Sequence, residues 1–319
     1  MDVRLARPTD APLVLALALD DKAHLVRSNS WPAANPVARS VVRALLPYTL
    51  PGRSWLARDG SAAALLEAQP RRYVIGWDVT RLAVRGCPEA VVDGVVAAAT
   101  AHLRAHGVPR LFARCAPEAS DLLKARAFHP LAREYVLARA PMSPERDGEL
   151  PIDSRYRMPQ DAWPLHQLES DVTPPLVRQL EGLTSLDWSR MPRGRSEIVV
   201  ERDGRVVAWI GWGSAAGRGI THIDLLVHRE HAEAAASLVD HVLATAPEGT
   251  LFAARVRDYH TEALTILRNA GFEIVGEEVL LVKHGSVELA KVKLWRKVTP
   301  APSVHAFHNQ MSRPAARKP

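Results

Sequence analysis

Apolar and polar residues change their period several times along the chain, and the changes come twice in the same order. A short segment from Val3 to Ala6 leads into an apolar run, Leu13 to Leu19. Its start at Pro8-Thr9-Asp10-Ala11 reads as a helix capped by Thr9 or Asp10. Arg155 to Met158 and Pro159-Gln160-Asp161-Ala162 repeat that arrangement, with Asp161 as the cap. After a variable helical region, the runs flanking Asp59-Gly60 read as a tight hairpin, and those flanking Asp203-Gly204 read the same way. The next strand ends in Leu82-Ala83-Val84 in one stretch and in Leu225-Leu226-Val227 in the other. A long Ala/Val-rich helix follows, from about Pro88 to His106 with Gly107 just past its end, matched by about Glu230 to Ala246. Leu111-Phe112-Ala113 pairs with Leu251-Phe252-Ala253, Ala127-Phe128 with Gly271-Phe272, and Glu134-Tyr135-Val136-Leu137 with Glu278-Val279-Leu280-Leu281.

Chance supplies one such match easily, but not six in collinear order. The chain is therefore expected to hold two copies of one unit, over 1–140 and 152–298. Ala140 to Gly148, with two prolines, a glycine and no apolar period, marks a linker over 141–151. Strand and helix alternate within each copy, which makes the fold class α/β, or α+β with a mixed sheet. The segment 299–319 carries no acid and little to bury, so it is expected to be a disordered basic tail.

Composition narrows the class without naming a chemistry. The 319 residues are 47% hydrophobic and 24% charged, the mixture of a globular protein, with a formal charge of +6. That excess is too small to carry nucleic-acid binding, so a surface rich in arginine is the plainer reading. Two cysteines, Cys87 and Cys115, cannot build a disulfide framework, and no C-x-x-C or clustered Cys/His spacing points to a structural zinc site, so no metal is expected. The run Leu13 to Leu19 is too short to span a bilayer and ends in Asp20 and Asp21, which suggests a cytoplasmic protein.

The order strand, helix, variable helices, hairpin, Leu-x-Val strand, long helix, strand and a helix ending in Gly-Phe resembles the GNAT acyltransferase fold, present twice. His260 to Phe272 is similar to the family pattern at Ala263, Ile266, Gly271 and Phe272, and the first copy agrees at Ala119, Leu122 and Phe128. Ile223 to Val227 is similar to the family's central strand. The resemblance implies two tandem GNAT-like domains and an N-acyltransferase. Acetyl-CoA or another acyl-CoA would be the co-substrate, and a small-molecule or protein amine the acceptor.

Departures from the family pattern decide which residues can act. Family members hold the pyrophosphate with a Gln/Arg-x-x-Gly-x-Gly/Ala loop, whose glycines let backbone N–H groups approach the phosphates. The second copy offers Arg229-Glu230-His231-Ala232-Glu233-Ala234, in which Arg229, Ala232 and Ala234 survive as cofactor-binding candidates. The first offers Arg85-Gly86-Cys87-Pro88-Glu89-Ala90, where proline lacks an N–H. The family's acid tyrosine is replaced by Leu123 and Leu267. Backbone at Leu225, Leu226 and Val227, or at Leu82-Ala83-Val84, could still polarise a thioester carbonyl. Asp224, His222 and Asp78 are candidates for receiving the amine proton, and His260 for replacing the missing acid. His222, Asp224 and Leu226 should share one strand face, opposite Ile223, Leu225 and Val227.

Each of these polar residues could also be an ordinary solvated or hydrogen-bonded side chain, which leaves open a catalytically inactive GNAT-like protein that binds a small ligand or a protein partner. Trp209-Ile210-Gly211-Trp212-Gly213 reads as a hairpin strand with glycine bulges before it reads as an aromatic platform. Trp31, Trp163 and Trp188 read as core or lid residues, and the cysteines as small apolar ones. Two fused copies could satisfy within one chain the contact that single-copy relatives make by dimerising, so a monomer is expected.

Overall fold

The computed structural model describes residues 1–20, 24–27, 40, 42, 45, 52–71, 76–86, 89–140, 150–189, 194–214 and 219–285. The expected tail, most of the expected linker, Trp31 and Cys87 lie outside these residues. Met1–Val287 forms one compact unit. The first copy runs β1 (Asp2–Leu5), α1 (Ala11–Leu19), β2 (His24–Arg27), β3 (Arg53–Asp59), β4 (Ala62–Pro70) and β5 (Trp77–Arg85), then α2 (Glu89–Ala105), β6 (Arg110–Cys115), α3 (Pro117–Lys124) and β7 (His129–Arg139). The second runs β8 (Ser154–Tyr156), α4 (Ala162–Val172), α5 (Pro175–Glu181), α6 (Ser185–Trp188), β9 (Ser196–Arg202), β10 (Arg205–Ser214) and β11 (Ile220–Val227). It ends with α7 (Ala232–Thr245), β12 (Leu251–Arg257), α8 (Thr261–Asn269) and β13 (Glu273–His284). Among the described residues no helix is long and apolar enough to cross a membrane.

The duplication extends to single atoms. Arg4 donates to both carboxylate oxygens of Asp10, and Arg155 does the same to Asp161, with one bond of 2.9 Å and 2.8 Å respectively. Each aspartate also accepts a backbone N–H three residues earlier, from Arg7 at 2.8 Å and from Met158 at 2.7 Å. The aspartates thus sit at the third position of a 3-10 turn and reach back, instead of capping the helix from in front, and Thr9 takes no part. Ala127 (φ 60°) and Gly271 (φ 83°) both take the left-handed conformation ahead of Phe128 and Phe272. The hairpins differ by one residue: Asp203 and Gly204 form the second loop, both at positive φ, whereas Asp59 pairs with Ala62 and leaves Gly60-Ser61 as the first.

The strands form one mixed sheet in the order β1-β3-β4-β5-β6-β13-β7-β12-β11-β10-β9-β8, with β2 off this path. The two copies exchange their last strands. β13 of the second lies beside β6 of the first, and β7 of the first lies beside β12 of the second. Where β7 and β13 meet, Glu134 stands opposite Glu278, its own repeat partner, so the local twofold axis passes between two carboxylates. Like charges so placed repel. Arginines from both copies offset this: Arg114 reaches Glu134 at 2.6 Å, Arg257 at 3.5 Å, and Arg255 reaches Glu278 at 3.0 Å. Although burial pushes the Glu134 carboxyl up, the Arg114 and Arg257 charges outweigh it and hold it well below the usual carboxylate range.

Helices cover both faces of each half. The small side chains of α2, Val91, Val92, Val95 and Ala99, let it lie close against Trp55, Leu66 and Leu82, and α1 covers the opposite face through Val14 and Leu17. In the second half Ile223, Leu225 and Val227 pack against α7 and α8, while Leu226 joins Leu165, Leu168 and Trp209 beneath α4. The expected division of faces along β11 therefore holds. Burying an aliphatic side chain of this size is worth about 1.5–3 kcal/mol, so the two-sided burial fixes the strand's register.

Candidate active site

In both halves the parallel pair at the centre separates after a few residues. β11 pairs with β12 from Ile220–Leu251 to Ile223–Ala254, and β5 with β6 from Trp77–Leu111 to Val79–Ala113. What fills the gap differs between the halves. β4 pairs with β5 along its length, so β2, which pairs at Arg81, Leu82 and Ala83 and also contacts β6, occupies the edge that β6 leaves free. Val26 is fully buried there in the core around Trp55 and Leu82. The backbone edge expected to serve a thioester at Leu82-Ala83-Val84 is thereby already paired at two of its three residues. In the second half, among the described residues, no strand takes the edge of β11 from Asp224 to Val227.

That open edge leads into a cavity of about 310 Å³. Val227, His228, Arg229 and Glu230 line it at the end of β11, Tyr259 and His260 at the start of α8, and Asp171 from α4. His260 is mostly enclosed, and its Nε2 makes no hydrogen bond. Burial, with the Arg257 charge behind it, holds the imidazole down at about 4, so it is neutral at neutral pH. Arg229 is 87% exposed and lies 3.6 Å from Glu262. Leu225, Leu226 and Ala234 are buried in the cores and Ala232 packs against one, so these four offer backbone only.

The other expected proton carriers lie elsewhere. Asp224 is 50% exposed and bound to Arg195 at 2.6 Å. Arg195 lies over Trp209, 5.2 Å from the ring centroid, and donates to the Gly211 carbonyl. A Cβ at Gly211 would displace the end of the Arg195 side chain and crowd the buried Trp209 ring at 2.7 Å. The strand's irregularity falls at Val207 and not at the expected glycine bulges. Trp209 is buried, with its Nε1 donating to Glu197, which makes it core rather than platform. His222 does not line the cavity, and burial holds it at about 4. Asp78 belongs to an ion-pair chain in the first half, 3.1 Å from Arg71 and 3.8 Å from Arg114. Cys115 is buried and its thiol is pushed up to about 11, which removes it as a nucleophile.

Three groups that sequence reading passed over stand at or beside the cavity. Tyr259 accepts a 2.6 Å hydrogen bond from Arg257 at its hydroxyl oxygen, and burial pushes the phenol up to about 12, so it keeps its proton. Glu169 lines a second cavity of about 320 Å³, together with His166, Arg178 and Glu181. Burial raises the Glu169 carboxyl to about 7, while the Trp188 indole N–H donates to it at 2.8 Å. The cavities meet along α4, whose Asp171 and Val172 line the first and Glu169 and Ser170 the second. Arg257, in neither lining, donates to Glu181 of the second at 2.8 Å and 2.6 Å and to Tyr259 of the first. The third group is His228, Glu230 and His231, whose donor atoms lie within 4.8 Å of one another.

The splayed central strands, the flanking helices and the hairpin together define the GNAT fold, present twice in one chain. No protein-family model matches the sequence, and no curated protein matches it. Among solved structures, a tandem GNAT protein from the clavulanic acid biosynthesis pathway, solved without AcCoA, superposes with a TM-score of 0.51. It is 16% identical over 90% of this chain and 100% of its own. A GCN5-related N-acetyltransferase from Sphaerobacter thermophilus gives 0.53 at 20% identity, over 90% of this chain and 97% of its own. Likeness at this identity is a likeness of fold.

Proposed function

We propose that the chain is an acyl-CoA-dependent N-acyltransferase, with acetyl-CoA the first candidate donor and an amine the acceptor, and that only the second half holds the donor. The observation that carries this reading is the contrast between the two splays: β2 fills one, and the other opens from β11 into the cavity beside Tyr259 and His260. The free edge at Leu225, Leu226 and Val227 would align the thioester and supply an N–H to the carbonyl as it gains negative charge. Arg229 would meet the donor's phosphates.

The acceptor nitrogen must lose a proton, bond to the acyl carbon and release a thiolate. Glu169, the carboxylate raised closest to neutral pH, suits the first task from the adjoining cavity, directly or through water. Asp224 suits it less, because Arg195 holds it. Tyr259 suits the last, since its oxygen already accepts from Arg257 and its proton is free to pass to sulfur, in place of the tyrosine that Leu267 displaces.

Thermal denaturation with acetyl-CoA and assay of acyl transfer to a panel of amines test the reading. Millimolar acetyl-CoA should raise the melting temperature, less so in Arg229→Ala, and Tyr259→Phe should bind the donor but transfer slowly. A second reading, a GNAT-like binding protein without turnover, draws on the absent glycines and the two leucines. Donor binding with no transfer to any amine would favour it, and no donor binding at all would refute the proposal.

A further inference from the structure

The loop between β11 and α7 lacks the glycines that would meet a pyrophosphate, and the cavity it borders carries the carboxylates of Asp171, Glu230 and Glu262. An anion arriving there meets more negative than positive side chains. The same loop is a 3-10 turn, Arg229–His231, in which residues three apart eclipse. His228 and His231 therefore stand on one side, their ring centroids 5.7 Å apart, and Glu230 joins them.

We propose that His228, Glu230 and His231 bind a divalent transition-metal ion of the zinc class at the rim of the cavity. Two imidazoles and a carboxylate are the three-ligand set of zinc sites that keep a fourth position open, whereas calcium and magnesium prefer oxygen alone. Zinc–ligand bonds of about 2.0–2.1 Å place tetrahedral donors roughly 3.4 Å apart. The three donor atoms, within 4.8 Å of one another, reach that separation by side-chain rotation, for which the exposed Glu230 has room. The Glu230 N–H points at His228 Nδ1 over 3.4 Å, a long contact that a metal ion at Nδ1 would replace. The ion would neutralise Glu230, and a phosphate oxygen could complete its shell. That role rests on the acyl-CoA reading, but the metal site does not.

The test uses the full chain, stripped with chelator, titrated calorimetrically with zinc and then with cobalt. Wild type should bind one more equivalent than the double variant His228→Ala/His231→Ala and show the visible absorption of four-coordinate cobalt. The comparison is needed because the chain has 13 histidines, which could also take up metal. Glu230→Gln, a surface change that spares the fold, should weaken binding about 10-fold or more. Equal stoichiometry and affinity in wild type and both variants would overturn the site. Coenzyme A is the second probe: zinc should enlarge its thermal shift in wild type and not in the double variant. A shift indifferent to zinc in a protein that binds zinc would overturn the anchoring role. The absence of any coenzyme A shift, with or without metal, would overturn the acyl-CoA reading while the zinc titration still decides the metal site.

Discussion

Replacing Glu169 by glutamine should make the protein more stable at pH 8 and do so far less at pH 5. The side chains have the same shape, and glutamine keeps an oxygen for the Trp188 indole N–H, so the difference isolates the carboxylate's charge. In the fold this carboxyl titrates at about 7 because burial disfavours its charged form, against an ordinary 4.5 in the unfolded chain. A carboxyl raised on folding binds its proton more tightly in the native state, so stability is lost as pH rises from 4.5 through 7. The whole gap is worth about 3 kcal/mol, at about 1.36 kcal/mol per pH unit. About 2.5 kcal/mol of that is expressed between pH 5 and pH 8, and incomplete enclosure beside a cavity lowers it to about 2 kcal/mol. For a chain of this length, about 2–4 °C per kcal/mol converts this to roughly 4–8 °C. Melting curves of both proteins at the two pH values measure it, and taking the variant against wild type cancels every other titrating group. Parallel curves, or a variant less stable at pH 8, would show that Glu169 is solvated and would also remove the physical ground for its role as proton acceptor.

Other expectations follow from the same geometry. If Glu169 receives the amine proton, kcat/KM for acyl transfer should rise with pH through about 7 and flatten above it, and the Glu169→Gln profile should lose that limb. Ala127→Gly should stabilise by up to about 1 kcal/mol and Gly271→Ala destabilise by about as much, because both positions are left-handed and the Cβ at 271 meets nothing closer than 3.5 Å. Urea denaturation reads both changes, and equal signs would refute the assignment. Glu134→Gln should cost about 3–5 kcal/mol in the same assay, since it leaves arginines from both copies short of a buried partner; a loss under 1 kcal/mol would show the pair to be solvated. Light scattering should give the monomer mass, because the exchange of β7 and β13 closes within the chain the edge that single copies would leave open.

What could be read from sequence was whatever a local period encodes. The division of β11 into an α7 face and an α4 face follows from alternation, and the two copies follow from six matches in order. Strand exchange leaves no such trace. Glu134 to Leu137 and Glu278 to Leu281 bury the same faces whichever copy's strand lies beside them, so their pattern is silent about partners. β2 is four residues long, His24–Arg27, too short for any period to reveal, yet it decides that the first splay is closed. Tyr259 and Glu169 carry no motif, because a burial-shifted carboxyl and an oriented phenol are properties of surroundings that only the fold assembles. The turn at His228, Glu230 and His231 fits no spaced Cys/His motif, because its donors are two histidines and a glutamate within four residues.

The first copy nonetheless reaches the lining of a cavity in the second. Asp78, expected as a base in its own copy, lies 3.1 Å from Arg71, and Arg71 reaches across to Glu181, at 3.5 Å, in the lining of the second cavity. Glu181 in turn holds Arg257, which orients the Tyr259 hydroxyl. The carboxylate that sequence reading placed in proton transfer is thus linked through four contacts to a phenol in the other half. With β7 and β13 exchanged, the sheet of each half is completed by a strand of the other, and the copy whose splay is filled supplies both a strand and Arg71 to its neighbour.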